Sequence, residues 1–192
     1  LHHCNFGKDG EYFDEALDVL TNFKNQGRLR FIGLSDWSNS RIMKYIAMCD
    51  PDVVQPYRNV MDDGFIKSGL CSYVNKNNLG VCFFSPIKHG LLTGKYDKPT
   101  SFELGDHRSG VKDFADQKVI DKMKKNKLLL EKRFTEHKHP VMRGLVDALF
   151  NDAKSGCVLL GQRNVDQVNV ASMLGEPMDE KDSVWVKSLY QY

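Results

Sequence analysis

The sequence predicts an α/β fold built on a parallel sheet. Short apolar runs alternate with amphipathic helical stretches along most of the chain, the pattern of parallel strands joined by right-handed crossovers. The runs are apolar on both faces, unlike a half-exposed antiparallel sheet. One of them, Val81–Phe84, stops at Ser85-Pro86 and opens into a loop bearing Gly90, Gly94, Lys88 and Lys95. A strand that ends in a Gly- and Lys-bearing loop is where α/β proteins place ligands, although the same stretch reads equally as a turn with solvated lysines.

The elements follow in order. Tyr12–Gln26 carries Phe13, Ala16, Leu17, Leu20 and Phe23 at helical spacing, with Gly27 placed as its C′ residue. Phe31–Leu34 is a short strand leading into Ser35-Asp36-Trp37, and Ser38 caps the helix Arg41–Cys49. Asp50-Pro51-Asp52 breaks that helix before the strand Val53-Val54-Gln55. A single helix carrying Ile66, Leu70, Tyr73 and Val74 then precedes the strand Val81–Phe84. Pro86 has no N–H for a ladder and is expected to hold Ser85 extended. From Lys88 to about Phe114 the chain is polar and aperiodic, which suits a lid or binding loop, or else a disordered insert. Helices are predicted over Asp116–Thr135 and Pro140–Lys154, with Pro140 in a first-turn position. Val158–Leu160 is the last strand, and two closing helices follow, the second from about Asp179. No linker or low-complexity segment interrupts residues 1–192, so one domain is expected.

Composition narrows the function classes. With 192 residues, 41% of them apolar, the chain can bury a real core. Its net charge is +2, with Lys and Arg scattered among 25 acidic residues, which argues against a nucleic-acid surface. The run Lys122 to Lys127 sits in a helical pattern and reads as a solvated face. No apolar run has the length of a membrane span, so no membrane insertion is expected. Five widely spaced cysteines suit a reducing, cytoplasmic setting, with Cys82 and Cys157 read as core thiols of apolar strands. Leu1-His2-His3 reads as the tail of a strand already under way, so the chain is expected to be cut at its N-terminus.

Three strand ends now line up: Gly33-Leu34-Ser35-Asp36-Trp37-Ser38, Val54-Gln55 and Phe84-Ser85-Pro86. With Gly90-Leu91-Leu92-Thr93-Gly94-Lys95-Tyr96 and Gly161-Gln162-Arg163-Asn164, their order resembles the second half of an aldo-keto reductase. The resemblance is nearest to the branch with potassium-channel β-subunits and bacterial general-stress oxidoreductases. It covers essentially the whole chain and weakens between about Ser109 and Pro140. It implies a TIM (β/α)8 barrel of the NADP-dependent oxidoreductase type, of which this chain supplies the C-terminal half: the end of strand 4 through strand 8 and the closing helices. It also implies the cofactor NADP(H) and a small carbonyl substrate.

What the resemblance implies residue by residue is as follows. His2 matches the family's catalytic histidine, a donor to the substrate carbonyl oxygen. The Asp, Tyr and Lys of the family's tetrad have no match in these residues. Ser35, Asp36 and Gln55 match groups that bind the nicotinamide carboxamide, with Asp36 a departure from the usual Asn or Arg. Capping of the next helix is the plainer reading of Ser35 and Asp36. Phe84 matches the aromatic that stacks on the nicotinamide ring, or is a core aromatic. Ser85, Pro86, Lys88, Leu92, Lys95 and Arg108 match positions around the pyrophosphate and the 2′-phosphate. Gly161, Arg163 and Gln167 match the adenosine end. Val170 and Ala171 stand where the family often carries a Glu-Asn pair for adenine. His2-His3-Cys4 also invites a metal reading, but adjacent strand residues point apart, and no metal site is expected.

The function implied is reversible reduction of an aldehyde or ketone by hydride transfer from NADPH. The alternatives are a non-catalytic nucleotide-binding or regulatory subunit, and a half-barrel without ligand. The 192 residues alone are expected to fold poorly, because the outer flanks of Phe31–Leu34 and Val158–Leu160 lack partners. Edge-to-edge dimerisation is the oligomer that would relieve this. Without the tyrosine proton donor, the rate is expected to fall by about 10²–10⁴.

Overall fold

The computed structural model describes residues 1–153 and 155–191. They fall into two compact units, one formed by 1–58, 62–84 and 152–159, the other by 59–61, 85–151 and 160–192.

The first unit holds a four-stranded parallel sheet in the order β1 (Gly33–Asp36), β2 (Val53–Pro56), β3 (Gly80–Phe83), β4 (Gly156–Val158). Helices α1 (Phe13–Asn25), α2 (Asn39–Cys49), α3 (Gly64–Lys67) and α4 (Leu70–Asn77) belong to it. Leu34, Val54 and Val81 share one register row and are buried. Ile42, Ile46, Leu70 and Val74 are buried too. Beyond them, Phe6, Phe13 and Tyr45 meet with ring centroids 4.8–5.0 Å apart. Local chemistry bounds these helices as the sequence predicts. Gly27, at φ +71°, follows the C-cap of α1, and the Ser38 hydroxyl accepts from Arg41 N–H at the start of α2.

Strand bounds differ from expectation by about two residues. β1 begins at Gly33, not Phe31, whose ring is 64% exposed. The Asp52 carboxylate accepts from Ile32 N–H and Lys24 Nζ, so the approach to β1 is tied down before the ladder starts. Ser35 and Asp36 therefore lie inside β1 and not past its end. β4 likewise begins at Gly156, because Val81 N–H bonds the Ser155 carbonyl and Leu159 N–H the Phe83 carbonyl. The single helix expected around Ile66–Val74 is two, broken at Gly69 with φ +84°. The outer flank of β1 is not bare. Leu1 N donates to Gly33 O, Ser35 N–H donates to Leu1 O, and His2 bridges Ser35 in parallel. Cys82 and Cys157 are not core thiols: they face each other across β3 and β4, Cys82 half-buried and Cys157 exposed.

The second unit is helical: α5 (Gln117–Arg133), α6 (Pro140–Asp147), α7 (Val165–Ala171) and α8 (Glu180–Tyr190). Asp116 and Asp179 cap α5 and α8 through their carboxylates, and Pro140 opens α6. The helix expected to reach Lys154 ends at Asp147, followed by a 3-10 turn over Ala148–Asn151; Lys154 lies outside the described residues. Residues 88–115 are ordered, not an insert. They form 3-10 turns at Lys88–Thr93, His107–Gly110 and Lys112–Ala115 around the rings of Tyr96, Phe102 and Phe114. Gly94, at φ +68°, lets this loop lie on α5, since a Cβ there would stand 2.6 Å from the Met123 carbonyl oxygen. The Tyr190 hydroxyl donates to Leu92 O, fixing α8 to the same loop. Among the described residues no helix is long and apolar enough to cross a membrane.

Candidate functional site

The C-terminal ends of β1, β2 and β3 lie side by side because the three strands are parallel. Each delivers an aromatic ring in the position just beyond it: Trp37, Tyr57 and Phe84. Phe84 meets Trp37 edge-on at 4.9 Å and Tyr57 at 5.6 Å, while Trp37 and Tyr57 are 5.4 Å apart. The Phe84 ring is half-buried, so it is neither free nor sunk in the core. Ser35 and Gln55 are register partners in the sheet behind these rings. The Ser35 hydroxyl is 3.0 Å from His2 Nδ1, and His2 bridges Ser35 in parallel, so the histidine lies alongside β1 as the end of a preceding strand would. Within the first unit, His2, Ser35, Gln55 and Phe84 thus share one end of the sheet.

Asp36 does something different. It is fully buried, and its carboxylate accepts from Cys4 N–H at 2.9 Å and Ser38 N–H at 2.7 Å, with Arg41 Nη1 at 3.8 Å. Its oxygens serve the turn that starts α2 and the backbone beside His2. Burial, followed by the charge of Asp36, pushes the Cys4 thiol up to about 11.

The second unit carries the remaining predicted residues. Ser85 takes φ +58°, not the extended backbone expected before Pro86. Pro86 restricts the right-handed region for its predecessor, and the chain turns through the left-handed region instead. The Ser85 carbonyl accepts from Asn59 Nδ2 and Lys88 N–H, which holds that turn. Lys88, His89 and Gly90 follow with φ 46°, 56° and 89°. Lys88 Nζ pairs with Asp113, and Arg108 forms a fork on Asp106 while lying 4.2 Å over the Phe102 ring. The Asp106 carboxylate raises Arg108 above its usual value, and Arg108 holds Asp106 below the ordinary carboxylate range. Burial, with His107 and Arg108 nearby, lowers His89. Lys95 is exposed over the Tyr96 ring. Leu92 is fully buried, and its carbonyl accepts from the Tyr190 hydroxyl, so it packs the loop and faces no open space. Gly161 and Arg163 are exposed ahead of α7, and the Gln167 amide accepts from Arg163 N–H while its own N–H donates to Asn164. Asn164 is the N-cap of α7, and Gln167 ties the residue before it to the first turn, so Gln167 serves the helix start before any ligand.

Tyr57 and the ring role of Trp37 were missed by sequence reasoning. The available signal was an aromatic immediately after each predicted strand end. Val170 and Ala171 lie at the end of α7, and neither can replace a Glu-Asn pair as a hydrogen-bonding partner.

A parallel α/β sheet with polar and aromatic side chains gathered at its strand ends is the arrangement on which TIM-barrel and other α/β proteins build their sites. The Aldo/keto reductase family model matches residues 1–182, and the chain belongs to that family. The L-glyceraldehyde 3-phosphate reductase of Escherichia coli strain K12 is 26% identical over 162 residues, which is 81% of this chain and 47% of that protein. The aldo-keto reductase yakc [NADP(+)] of Schizosaccharomyces pombe is 28% identical over 99 residues, 50% of this chain and 28% of its own length. Among solved structures, the glycerol dehydrogenase AKR11B4 of Gluconobacter oxydans superposes with TM-score 0.75 at 24% identity. That match covers 92% of this chain and 53% of the other. The holo form of the Bacillus halodurans aldo-keto reductase AKR11C1 gives TM-score 0.66 at 16% identity, covering 95% and 58%. The chain spans about half the length of the curated relatives it matches first.

Proposed function

We propose that this chain contributes to NADP(H)-dependent reduction of a small aldehyde or ketone to an alcohol. The observation that carries the reading is the grouping of His2, Ser35, Gln55 and Phe84 at one end of the sheet, in a chain of the aldo/keto reductase family. Within the first unit these residues suit a nicotinamide. The Gln55 amide offers both donor and acceptor to a carboxamide, the Ser35 hydroxyl offers either, and the Phe84 ring offers a flat face. Asp36 is read as a positioning residue, because its carboxylate is already engaged by Cys4 and Ser38. The cofactor, when bound, supplies the hydride. His2, oriented through Ser35, hydrogen-bonds the carbonyl oxygen and stabilises its developing negative charge.

Within the second unit, Ser85, Lys88, Lys95 and Arg108 are read as the phosphate-binding group, with Pro86 and Leu92 shaping its backbone. The fit is partial. Lys88 and Arg108 are already paired with Asp113 and Asp106, so a phosphate must displace those carboxylates. Gly161, Arg163 and Gln167 are read as the adenosine end, without the Glu-Asn pair. The chain is further read as the C-terminal half of one (β/α)8 domain, from the order of its motifs, and as cytoplasmic, from its cysteine usage.

A second reading is nucleotide binding without turnover. It asks only for the binding groups at the sheet end, Ser35, Gln55 and Phe84, and for no proton donor. The test is fluorescence titration of the longest natural form of the protein with NADPH, followed by a carbonyl panel assayed on the same form. Saturable quenching with turnover is the expected result. Quenching without turnover selects the second reading, and no quenching rejects both.

A further inference from the structure

Cys82 and Cys157 are register partners on adjacent parallel strands, and their sulfurs are 3.2 Å apart. Neighbouring strands place Cα atoms about 4.8 Å apart, inside the roughly 4.4–6.8 Å range that a disulfide spans. Cys157 is exposed and Cys82 half-buried, so the pair is open to small reagents. The other three thiols are placed differently: Cys4 and Cys49 are buried, and the Cys71 sulfur points at the Asp152 carbonyl 3.3 Å away. Nothing in the reading of the nicotinamide end or the phosphate group uses either Cys82 or Cys157.

We propose that Cys82 and Cys157 are a cross-strand thiol pair that closes to an intramolecular disulfide by exchange with a low-molecular-weight disulfide such as oxidised glutathione. Cys157, the exposed member, loses its proton and attacks one glutathione sulfur. The glutathione S–S bond breaks, a Cys157–glutathione mixed disulfide forms, and one glutathione leaves as thiolate and takes up a proton. Cys82 then loses its proton and attacks the Cys157 sulfur, and the second glutathione leaves the same way. One glutathione disulfide is reduced to two thiols while two protein thiols are oxidised to one disulfide, so electrons and protons balance. The order follows from the surroundings. Cys157 is the exposed member and meets the reagent first, while burial holds Cys82 protonated; Cys82 acts second, its sulfur already within contact of the one it must attack. The bond would tie β4 to β3 two residues before Phe84.

The test uses the longest natural form of the protein, natively folded, treated with oxidised glutathione at mildly alkaline pH, quenched by alkylation and read by intact mass and peptide mapping. The expected product lacks two hydrogens, carries no glutathione, maps to a Cys82–Cys157 linked peptide and is reversed by dithiothreitol. Cys82→Ser should instead retain one glutathione on Cys157, and Cys157→Ser should lose the linkage and leave Cys82 unmodified. A parallel reaction in urea keeps the result interpretable should a variant fail to fold, since unfolding should replace the single linkage by a mixture that includes Cys4, Cys49 and Cys71. A stable glutathione adduct on the folded wild type, a linkage involving Cys71, or no reaction at all would overturn the proposal.

Discussion

Replacing Asp152 by Ala should destabilise the first unit more than any exposed ion-pair substitution. Asp152 Oδ2 lies 2.9 Å from Arg58 Nε and 2.7 Å from Nη2, with the two side chains only 8% and 1% exposed. Arg58 Nη1 also donates to the Asp62 carbonyl, so the guanidinium is fixed and cannot swing to water when its partner goes. Removing one member of a buried pair leaves an uncompensated charge and costs about 3–5 kcal/mol, against about 0–1 kcal/mol for a surface pair. Cys71 and Asn75 hydrogen-bond the Asp152 backbone carbonyl, which Ala retains, so the side chain alone is tested. With a urea slope of about 2 kcal/mol/M, the midpoint of unfolding followed by circular dichroism should fall by about 1.5–2.5 M. The double substitution Arg58→Met/Asp152→Ala removes the stranded charge and should recover at least about half of that loss. A midpoint shift below about 0.5 M for Asp152→Ala, or a double variant no better than the single, would refute the reasoning.

Gly94→Ala puts a Cβ against the Met123 carbonyl at a positive φ, and should cost about 1–3 kcal/mol, read as a lower melting temperature; an unchanged melt would mean the loop does not rest on α5. The Cys4 thiol is raised from 9.0 to about 11, so its contribution to stability is full below pH 9 and is lost as pH rises from 9 through about 11; Cys4→Ala should remove that alkaline loss from a pH series of urea midpoints. Asp113→Asn frees Lys88 from its carboxylate, and on the proposed reading should tighten NADPH binding by about two- to fivefold in a fluorescence titration, the range of a partly exposed pair. Arg163→Ala in the longest natural form should weaken NADPH more than NADH, and equal loss for both would show that Arg163 does not read the 2′-phosphate.

What was legible in the sequence was whatever depends on neighbours along the chain. Gly27 and Ser38 bound their helices as read, Asp116 and Asp179 stand where two helix starts were expected, and the order of strand and helix follows from hydrophobic period. Strand bounds were not legible to the residue. The apolar run Phe31-Ile32 looks like strand, yet pairing with β2 begins only at Gly33, after Asp52 has fastened Ile32. Cys82 and Cys157 look like core residues because each sits in an apolar run. Only the register, which joins positions 75 residues apart, shows that they form a pair with one member exposed.

The candidate site divides along the same line. Ser35, Gln55 and Phe84 could be placed from motif order, because a parallel sheet carries every strand end to the same side. The state of the loop cations could not, since the partner of Lys88 lies 25 residues ahead and is reached only through the 3-10 turns. Nor could the backbone strain. Ser85, Lys88 and His89 all take positive φ, a region costly to residues with a Cβ, at roughly 1–3 kcal/mol each. The surroundings sustain it: Asn59 holds the Ser85 carbonyl, Asp113 holds Lys88, and Leu91 and Leu92 are buried immediately after. Relaxing the loop would expose those two leucines and break both holds. The positive φ values at Ser85, Lys88 and His89 are thus accounted for by these two holds together with the burial of Leu91 and Leu92, contacts that no local reading of the sequence supplies.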